Sequence, residues 1–392
     1  MAIKYELSGN LMDILSISFS WMNTDSRVKR QLNILEQLGK VTLCCHDSGD
    51  LNVDAVEVDR ITFNYPGKII APLQLLTGRY LNYYFSLHYI QQAMKKLKGR
   101  RFDLIVANDL NALPLAFELP KKRGGKILFD AHEFSPLEFE DRMIWRIFFG
   151  RYAKWLSKTF APRANAMTTV SRGVANAWKN LCGVHPVIIT NAPPRYDLQP
   201  KSIKTGHIRM IHHGGATRSR KLETMIELMH QLDRRFTLDL VLVPGDSKYI
   251  EELRSKAMPL CNRIQFLPPV PSQEVPVMCN KYDLGLYLMP PTSLNNQLAL
   301  PNKFFEFIQG RIGVANYPIK EITEHIHKYS CGVVSDTFSV TSMAKCLNAL
   351  SENDVQNFKR NAHQAAEVLC YEDNFSRWDE VFQQLGITAC VA

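Results

Sequence analysis

Residues 208–228 read IRMIHHGGATRSRKLETMIEL. An apolar strand-like run ends at His212 and His213, two glycines follow, and Arg218, Arg220 and Lys221 come before apolar residues at helical spacing, Met225 and Leu228 among them. Strand, glycine turn and helix in that order are the opening unit of a doubly wound parallel sheet. Gly214 and Gly215 carry no Cβ, so the backbone at the strand's end can come close to a ligand.

Outward from this stretch the alternation continues. TLDLVLVPG (237–245), RIQFLPPV (263–270), DLGLYLMPP (283–291), RIGVANY (311–317) and CGVVS (331–335) read as further strands, with helical segments between them and PNKFFEFIQG (301–310) as one such helix. The preceding half repeats the pattern. MDILSISF (12–19) ends in a polar turn, Val28, Leu32, Leu35 and Leu38 recur at helical spacing, Gly39 stops that helix and KVTLCCH (40–46) is the next strand. RFDLIVAND (101–109) and GKILFDAHE (125–133) are short apolar strands with polar tips, and ANAMTTVS (164–171) follows a long helical stretch from Met143 to Phe160. Prolines and polar residues at about 191–206 mark a linker. The fold expected is α/β, with two Rossmann-like doubly wound domains facing a cleft: residues 1–195, residues 206–370 and a terminal helix over 371–392. A chain of 392 residues is long enough for two such cores.

Composition narrows the function. Nine cysteines without a CxxC pair argue against a disulfide framework and against structural zinc. The opening MAIKYELSGNLMDILS lacks the basic-then-apolar order of a leader, and no apolar run approaches the ~20 residues that cross a bilayer, so a cytoplasmic location is expected. A net charge of +9 favours anionic partners. No zinc finger, RNP-type aromatic motif or long basic block is present, and nucleic acid is not expected among them.

Three segments carry candidate chemistry. In PNKFFEF, Pro301, Asn302 and Lys303 form the first turn of a helix, whose unpaired amides make an anion site that Lys303 strengthens. Glu306, one turn on, can accept hydrogen bonds from both hydroxyls of a ribose; the competing reading is an exposed Lys–Glu pair. Around Gly214 and Gly215, Arg218 and Arg220 suit a diphosphate, since guanidinium binds phosphate oxygens bidentately; a solvated basic turn competes. In FDAHE, Asp130, His132 and Glu133 stand at a strand's carboxyl end, where acid–base groups gather; HExxH is not completed, and no metal is expected. Asp25 and Arg27 in the early polar turn are further candidates, with helix capping as the plainer role.

Taken together, DSRVKRQLNILEQLGKVTL, FDLIVAND, LFDAHE, AMTTVSRGVA, GGATRSRKLETMIEL, PNKFFEF and a terminal helix with Trp378 resemble, in that order, the retaining glycosyltransferases of the GT-B fold, family 4, which build bacterial surface polysaccharides. The resemblance implies a hexosyltransferase-type enzyme that moves a sugar from a nucleotide diphosphate sugar to a glycan or lipid-linked acceptor, with retention and without a metal or cofactor. By it, Glu306 binds the donor ribose, Lys303 lies at the diphosphate, Arg220 grips it and His132 faces the transferred sugar. The first domain takes the acceptor, with Asp25, Arg27, Asp130 and Glu133 on that side, and the terminal helix packs back on it. Where the family carries the first glutamate of a pair, this chain has Leu298. A nucleotide-sugar epimerase and a non-catalytic nucleotide-sugar-binding scaffold are the alternatives. Finally, DRMIWRIFFGRYAKWLSKTF (141–160) interleaves basic and aromatic residues, which suits peripheral contact with an anionic membrane surface; packing of the aromatics into the first domain is the competing reading.

Overall fold

A computed structural model describes residues 5–7, 11–60, 65–387 and 389–391. Residues 1–4 and 8–10, part of the opening on which the leader reading rests, lie outside them. The chain divides into two compact units, one formed by Met1–Ile189 with Phe375–Ala392 and the other by Thr190–Asn374.

The first unit is built on a parallel sheet of seven strands. In chain order these are β2 (Met12–Ile17), β3 (Gly39–Cys45), β4 (Asp54–Glu57), β5 (Phe102–Asn108), β6 (Lys121–Ala131), β7 (Ala166–Thr169) and β8 (Val187–Ile188), after a short β1 (Tyr5–Leu7) outside the sheet. Their spatial order is β4-β3-β2-β5-β6-β7-β8. The first strand thus lies inside the sheet and the direction of winding reverses between β2 and β5. Both faces of the central strands β2, β5 and β6 are covered, which is why Ile14, Leu15, Leu104, Ile105, Leu128 and Phe129 are all buried without alternation. Gly39 ends the helix Ser26–Leu38 and begins β3 at once; a Cβ there would lie 2.0 Å from the carbonyl oxygen of Met12.

The second unit carries six parallel strands, β9 (Ile208–Ala216), β10 (Phe236–Pro244), β11 (Ile264–Leu267), β12 (Leu284–Tyr287), β13 (Gly313–Asn316) and β14 (Gly332–Val334), in the order β11-β10-β9-β12-β13-β14. This is the strand order of a dinucleotide-binding sheet, with its switch point between β9 and β12. The register explains how a crevice opens there. β9 pairs with β10 from Ile208 to Ala216, but with β12 only at Met210 and Ile211. The strand therefore runs past His213 through both glycines, supported on one side alone. On β12, Gly285 leaves room for the Phe307 ring, which a Cβ would meet at 2.3 Å, and so the helix Asn302–Gln309 settles close against the sheet.

The helix Phe375–Leu385 belongs to the first unit, where it packs on β6, β7 and β8 and buries Phe375, Trp378, Val381, Phe382 and Leu385. Beyond it, β15 (Ala389–Val391) pairs antiparallel with β1. At the two crossings the chain is tied to itself: Thr190 donates through its amide (3.0 Å) and hydroxyl (3.2 Å) to Asn374 Oδ1, and Asn374 Nδ2 donates to the Thr190 carbonyl (3.1 Å).

Candidate functional site

In the second unit the functional side chains collect where β9 parts from β12. His212 bridges the gap with a ring nitrogen 2.8 Å from the Leu286 carbonyl oxygen. Gly214 follows with φ at +123°, and a Cβ there would come within 2.7 Å of Lys303 Nζ and 3.5 Å of Arg220 Nη1. Two cations from different elements thus meet over this glycine. Arg220, on a 3-10 turn, donates to the Gly215 carbonyl at 3.0 Å. Lys303 is 8% exposed, with its ammonium 5.6 Å from the Tyr287 ring centroid.

Burial first, then the Arg220 charge, press the Lys303 pKa down to about 7, against the pull of Glu306. An ammonium so crowded is stabilised by any anion that enters. Glu306 comes from the same helix face, with Oε2 3.5 Å from His213 Nε2. Burial and the Lys303 charge hold His213 well below the ordinary imidazole range, so this contact is to a neutral ring. Since Lys303 is buried, the two residues are not a solvated surface pair. Pro301 stands one place before the helix as its N-cap residue, with Asn302 first in the helix; helix ends shift by one residue or so between sequence and structure.

Arg218 is turned elsewhere. Its guanidinium binds Glu252 through both terminal nitrogens at 2.7 Å and Asp246 through Nε at 3.0 Å, on the exposed side of the turn. Of the two arginines read from the sequence, only Arg220 reaches the glycines. Leu298 ends the short helix Leu294–Gln297, capped by Ser293.

In the first unit, Arg27, Asp130, His132 and Asp109 form a chain of alternating charge across the ends of β5 and β6. Arg27 donates to Asp130 from Nη2 at 2.5 Å and Nε at 3.0 Å, Gln31 adds 2.9 Å and the Thr168 hydroxyl 2.7 Å. Burial opposes the Asp130 charge, but Arg27 and His132 outweigh it and hold the carboxyl far below its usual range. His132 lies 3.4 Å from Asp130 Oδ2 and, on its other nitrogen, 3.2 Å from Asp109 Oδ2. Burial disfavours its charge, yet Asp109 and then Asp130 raise its pKa to about 10. His132 is therefore an imidazolium, suited to donating hydrogen bonds and not to accepting a proton. Asp25 caps the helix Ser26–Leu38, its Oδ1 accepting from the Val28 amide at 3.0 Å.

Sequence reasoning did not single out Asp109 or Glu138. Asp109 adopts φ of +63°, a left-handed conformation rare outside glycine, at the tip of β5; the polar end of FDLIVAND was its only signal. Glu133, which the sequence did indicate, stands with Glu138 at an aromatic cavity of the first unit. Among the described residues no group of three or more His, Cys, Asp or Glu side chains is placed to hold a metal ion.

Residues 31–198 match the model of Glycosyltransferase Family 4. No curated protein matches the chain in sequence. Among solved structures, Anabaena HepE in complex with UDP-glucose superposes with a TM-score of 0.66 at 14% identity, covering 96% of this chain and 99% of that one. Sucrose-phosphate synthase of Thermosynechococcus elongatus gives 0.70 at 12%, over 95% and 99%. WaaG, a glycosyltransferase involved in lipopolysaccharide biosynthesis, gives 0.63 at 13%, over 94% and 99%. Identities this low speak for the fold, and the sequence match adds the family's imprint on the first half. With two Rossmann-like domains of the GT-B fold and that match over residues 31–198, the chain resembles the family 4 glycosyltransferases.

Proposed function

We propose that the protein transfers a sugar from a nucleotide diphosphate sugar to a glycan or lipid-linked acceptor, with retention of configuration and without a metal ion. The observation that carries this reading is the meeting of Arg220 and the buried Lys303 over Gly214, with Glu306 one helical turn away. Two crowded cations beside a Cβ-free backbone suit a diphosphate, and a carboxylate at that distance along the helix suits ribose hydroxyls. UDP-glucose in HepE makes a UDP-sugar the first donor to try.

In this reading the second unit holds the donor. As the bond from the anomeric carbon to the diphosphate oxygen breaks, charge grows on the leaving phosphate, and Arg220, Lys303 and the helix amides offset it, the kind of contribution that is usually largest. The acceptor hydroxyl attacks on the face the diphosphate leaves, its proton passing to a phosphate oxygen, so no nucleophilic carboxylate is needed. His132, held as a cation, commits both ring nitrogens to Asp109 and Asp130 and so fixes the ends of β5 and β6 on the acceptor side. Arg27, Asp130 and Asp25 hold its surroundings, and Arg218 braces the turn that presents Arg220.

The reading extends to the lipid surface. The aromatics of 141–160 are half-buried or buried, but Met143, Ile144 and Ile147 are exposed, between exposed Arg142, Arg146, Arg151 and Lys154. The neighbouring helix Tyr65–Leu76 adds exposed Leu73 and Leu76. Among the described residues no helix is long and apolar enough to cross a membrane, so this face suits contact with anionic headgroups alone.

The test is a screen of UDP-, GDP-, ADP- and CMP-sugars by thermal shift, followed by transfer to an acceptor panel with the preferred donor in excess EDTA. One nucleotide sugar should raise the melting temperature, and glycosylated product with the same anomeric configuration should form. An epimerised donor formed without acceptor, or binding without transfer across the panel, overturns the proposal.

A further inference from the structure

Within the first unit lies a cavity of about 280 Å³, lined by residues of β5's tip, the segment after β6 and the helical stretch 143–160. Tyr83, Phe139, Trp145, Phe149 and Tyr152 wall it. The rings brace one another edge to face: Tyr83 and Tyr152 are 5.2 Å apart at 88°, Tyr83 and Phe149 6.3 Å at 68°, Phe139 and Trp145 6.2 Å at 73°. Three carboxyl residues complete the lining, Asp109, Glu133 and Glu138, and among the described residues that line it none is Lys, Arg or His. The cations stand behind this lining, His132 on Asp109 and Arg142 4.8 Å from the Phe139 ring centroid, so the groups that face the space are ring faces and carboxyls, which favour a cation over an anion.

The acids are not balanced alike. Asp109 has its counter-ion in His132 at 3.2 Å. Glu133 and Glu138 are hydrogen-bonded to each other. Burial, then Asp109, raises the Glu133 pKa to about 7; burial, then Glu133, raises Glu138 to about 9. Two carboxyls so close cannot both ionise in a dry site, and near neutrality they share a proton. A cation entering the cavity replaces that proton as the partner of the pair.

We propose that this cavity binds a ligand bearing a protonated primary amine, of the class of an unacetylated amino sugar, with the ammonium held between Glu133 and Glu138 and the ring against the aromatic walls. A primary ammonium has three donors to share between two carboxyls, which a quaternary ammonium lacks. The volume lies near the roughly 300 Å³ lower end of small-ligand cavities and suits one monosaccharide-sized group. The inference stands apart from sugar transfer, because it concerns binding alone and needs no donor. If transfer holds as well, the amine-bearing group is the acceptor's end.

Calorimetry on the full chain tests it, with glucosamine, N-acetylglucosamine, glucose and choline as probes at pH 7. Glucosamine should bind at least about tenfold more tightly than glucose or N-acetylglucosamine, and titration in two buffers of different ionisation enthalpy should show net proton release. Between pH 6 and 7, where the amine stays charged, affinity should rise. The groups facing the pair are Asp109, His132 and Arg142, with the Tyr83 and Tyr152 phenols in the same walls; the Glu133 pKa of about 7 lies at that window. Glu133→Gln with Glu138→Gln should abolish the preference for glucosamine and the proton release, while Trp145→Ala should weaken glucosamine and glucose alike. Thermal melting establishes that each variant is folded, and Glu138→Gln alone is the second variant if the pair is not. Equal binding of glucose and glucosamine makes the cavity a neutral polyol site and overturns the proposal, as does tighter binding of choline or no binding of glucosamine up to millimolar concentration. A chain that binds glucosamine and transfers no sugar refutes the proposed function and leaves this site standing.

Discussion

Glu306 and Lys303 are three residues apart on one helix and play opposite electrostatic parts. Replacing Glu306 by Gln keeps the shape and removes the charge that strengthens its bonds to a ribose. Transfer at subsaturating donor should fall at least about tenfold, since about 1.4 kcal/mol is enough for that, with the melting temperature little changed; a wild-type rate would remove the nucleotide from this helix. Lys303 adds a pH dependence of known sign. Its free-state pKa is pressed to about 7 by burial and Arg220, and a bound diphosphate restores the charge. Binding therefore takes up a proton, and donor affinity should weaken by up to about tenfold per pH unit as pH rises above about 7. Burial holds the neighbouring His212 and His213 neutral, well below this range. In Lys303→Met the slope measured by calorimetry between pH 7 and 9 should vanish; a slope that persists assigns the proton to another group. At this scale the sequence was uneven. The spacing of Lys303 and Glu306 was legible because helical geometry is periodic, whereas Arg218 and Arg220, two apart on one turn, differ only by the partners that Asp246 and Glu252 supply from elsewhere. Glu138 was illegible because no periodic pattern in 133–145 signals that Glu133 folds onto it, or that Asp109, Tyr83 and Tyr152 close the same cavity from elsewhere in the chain.

Elements were more legible than residues. Each strand read from an apolar run is present; in the central strands burial on both faces leaves no other pattern, while the edge strands β11 and β14 are only partly buried. The strand at 208–216 was read short, since nothing local signals that pairing to β10 outlasts pairing to β12. The stretch 143–160 is helical as expected but holds a π-helical turn at Arg146–Gly150. Its inward face bears the aromatics and its outward face Met143, Ile144 and Ile147. That division allows a clean experiment: replacing these three by Ser should leave the fold intact and reduce sedimentation with phosphatidylglycerol vesicles several-fold. Vesicle binding that ignores the triple change, or is absent in the unaltered chain at low salt, rejects membrane contact through this face.

Along the chain, the second unit is continuous and interrupts the first. Removing residues 375–392 takes from the first unit five buried side chains, Phe375, Trp378, Val381, Phe382 and Leu385. At roughly 1.5–3 kcal/mol each their loss is of the order of a domain's entire stability, about 5–15 kcal/mol. The truncated chain should lose the first unit's cooperative melting transition and yield, on limited proteolysis, a resistant fragment close to Thr190–Asn374. Two transitions in the truncated chain would show that the terminal helix is dispensable.

The same interruption sets a timetable for synthesis. The strands β6, β7 and β8 leave the ribosome early, yet the helix that covers them is made only after the second unit is complete. At about 5–20 residues per second, Thr190–Asn374 occupies the ribosome for on the order of 10–40 s. Through that interval the earlier unit waits with an apolar face uncovered, a nascent chain exposed to chaperones, while the later unit is the first able to finish folding.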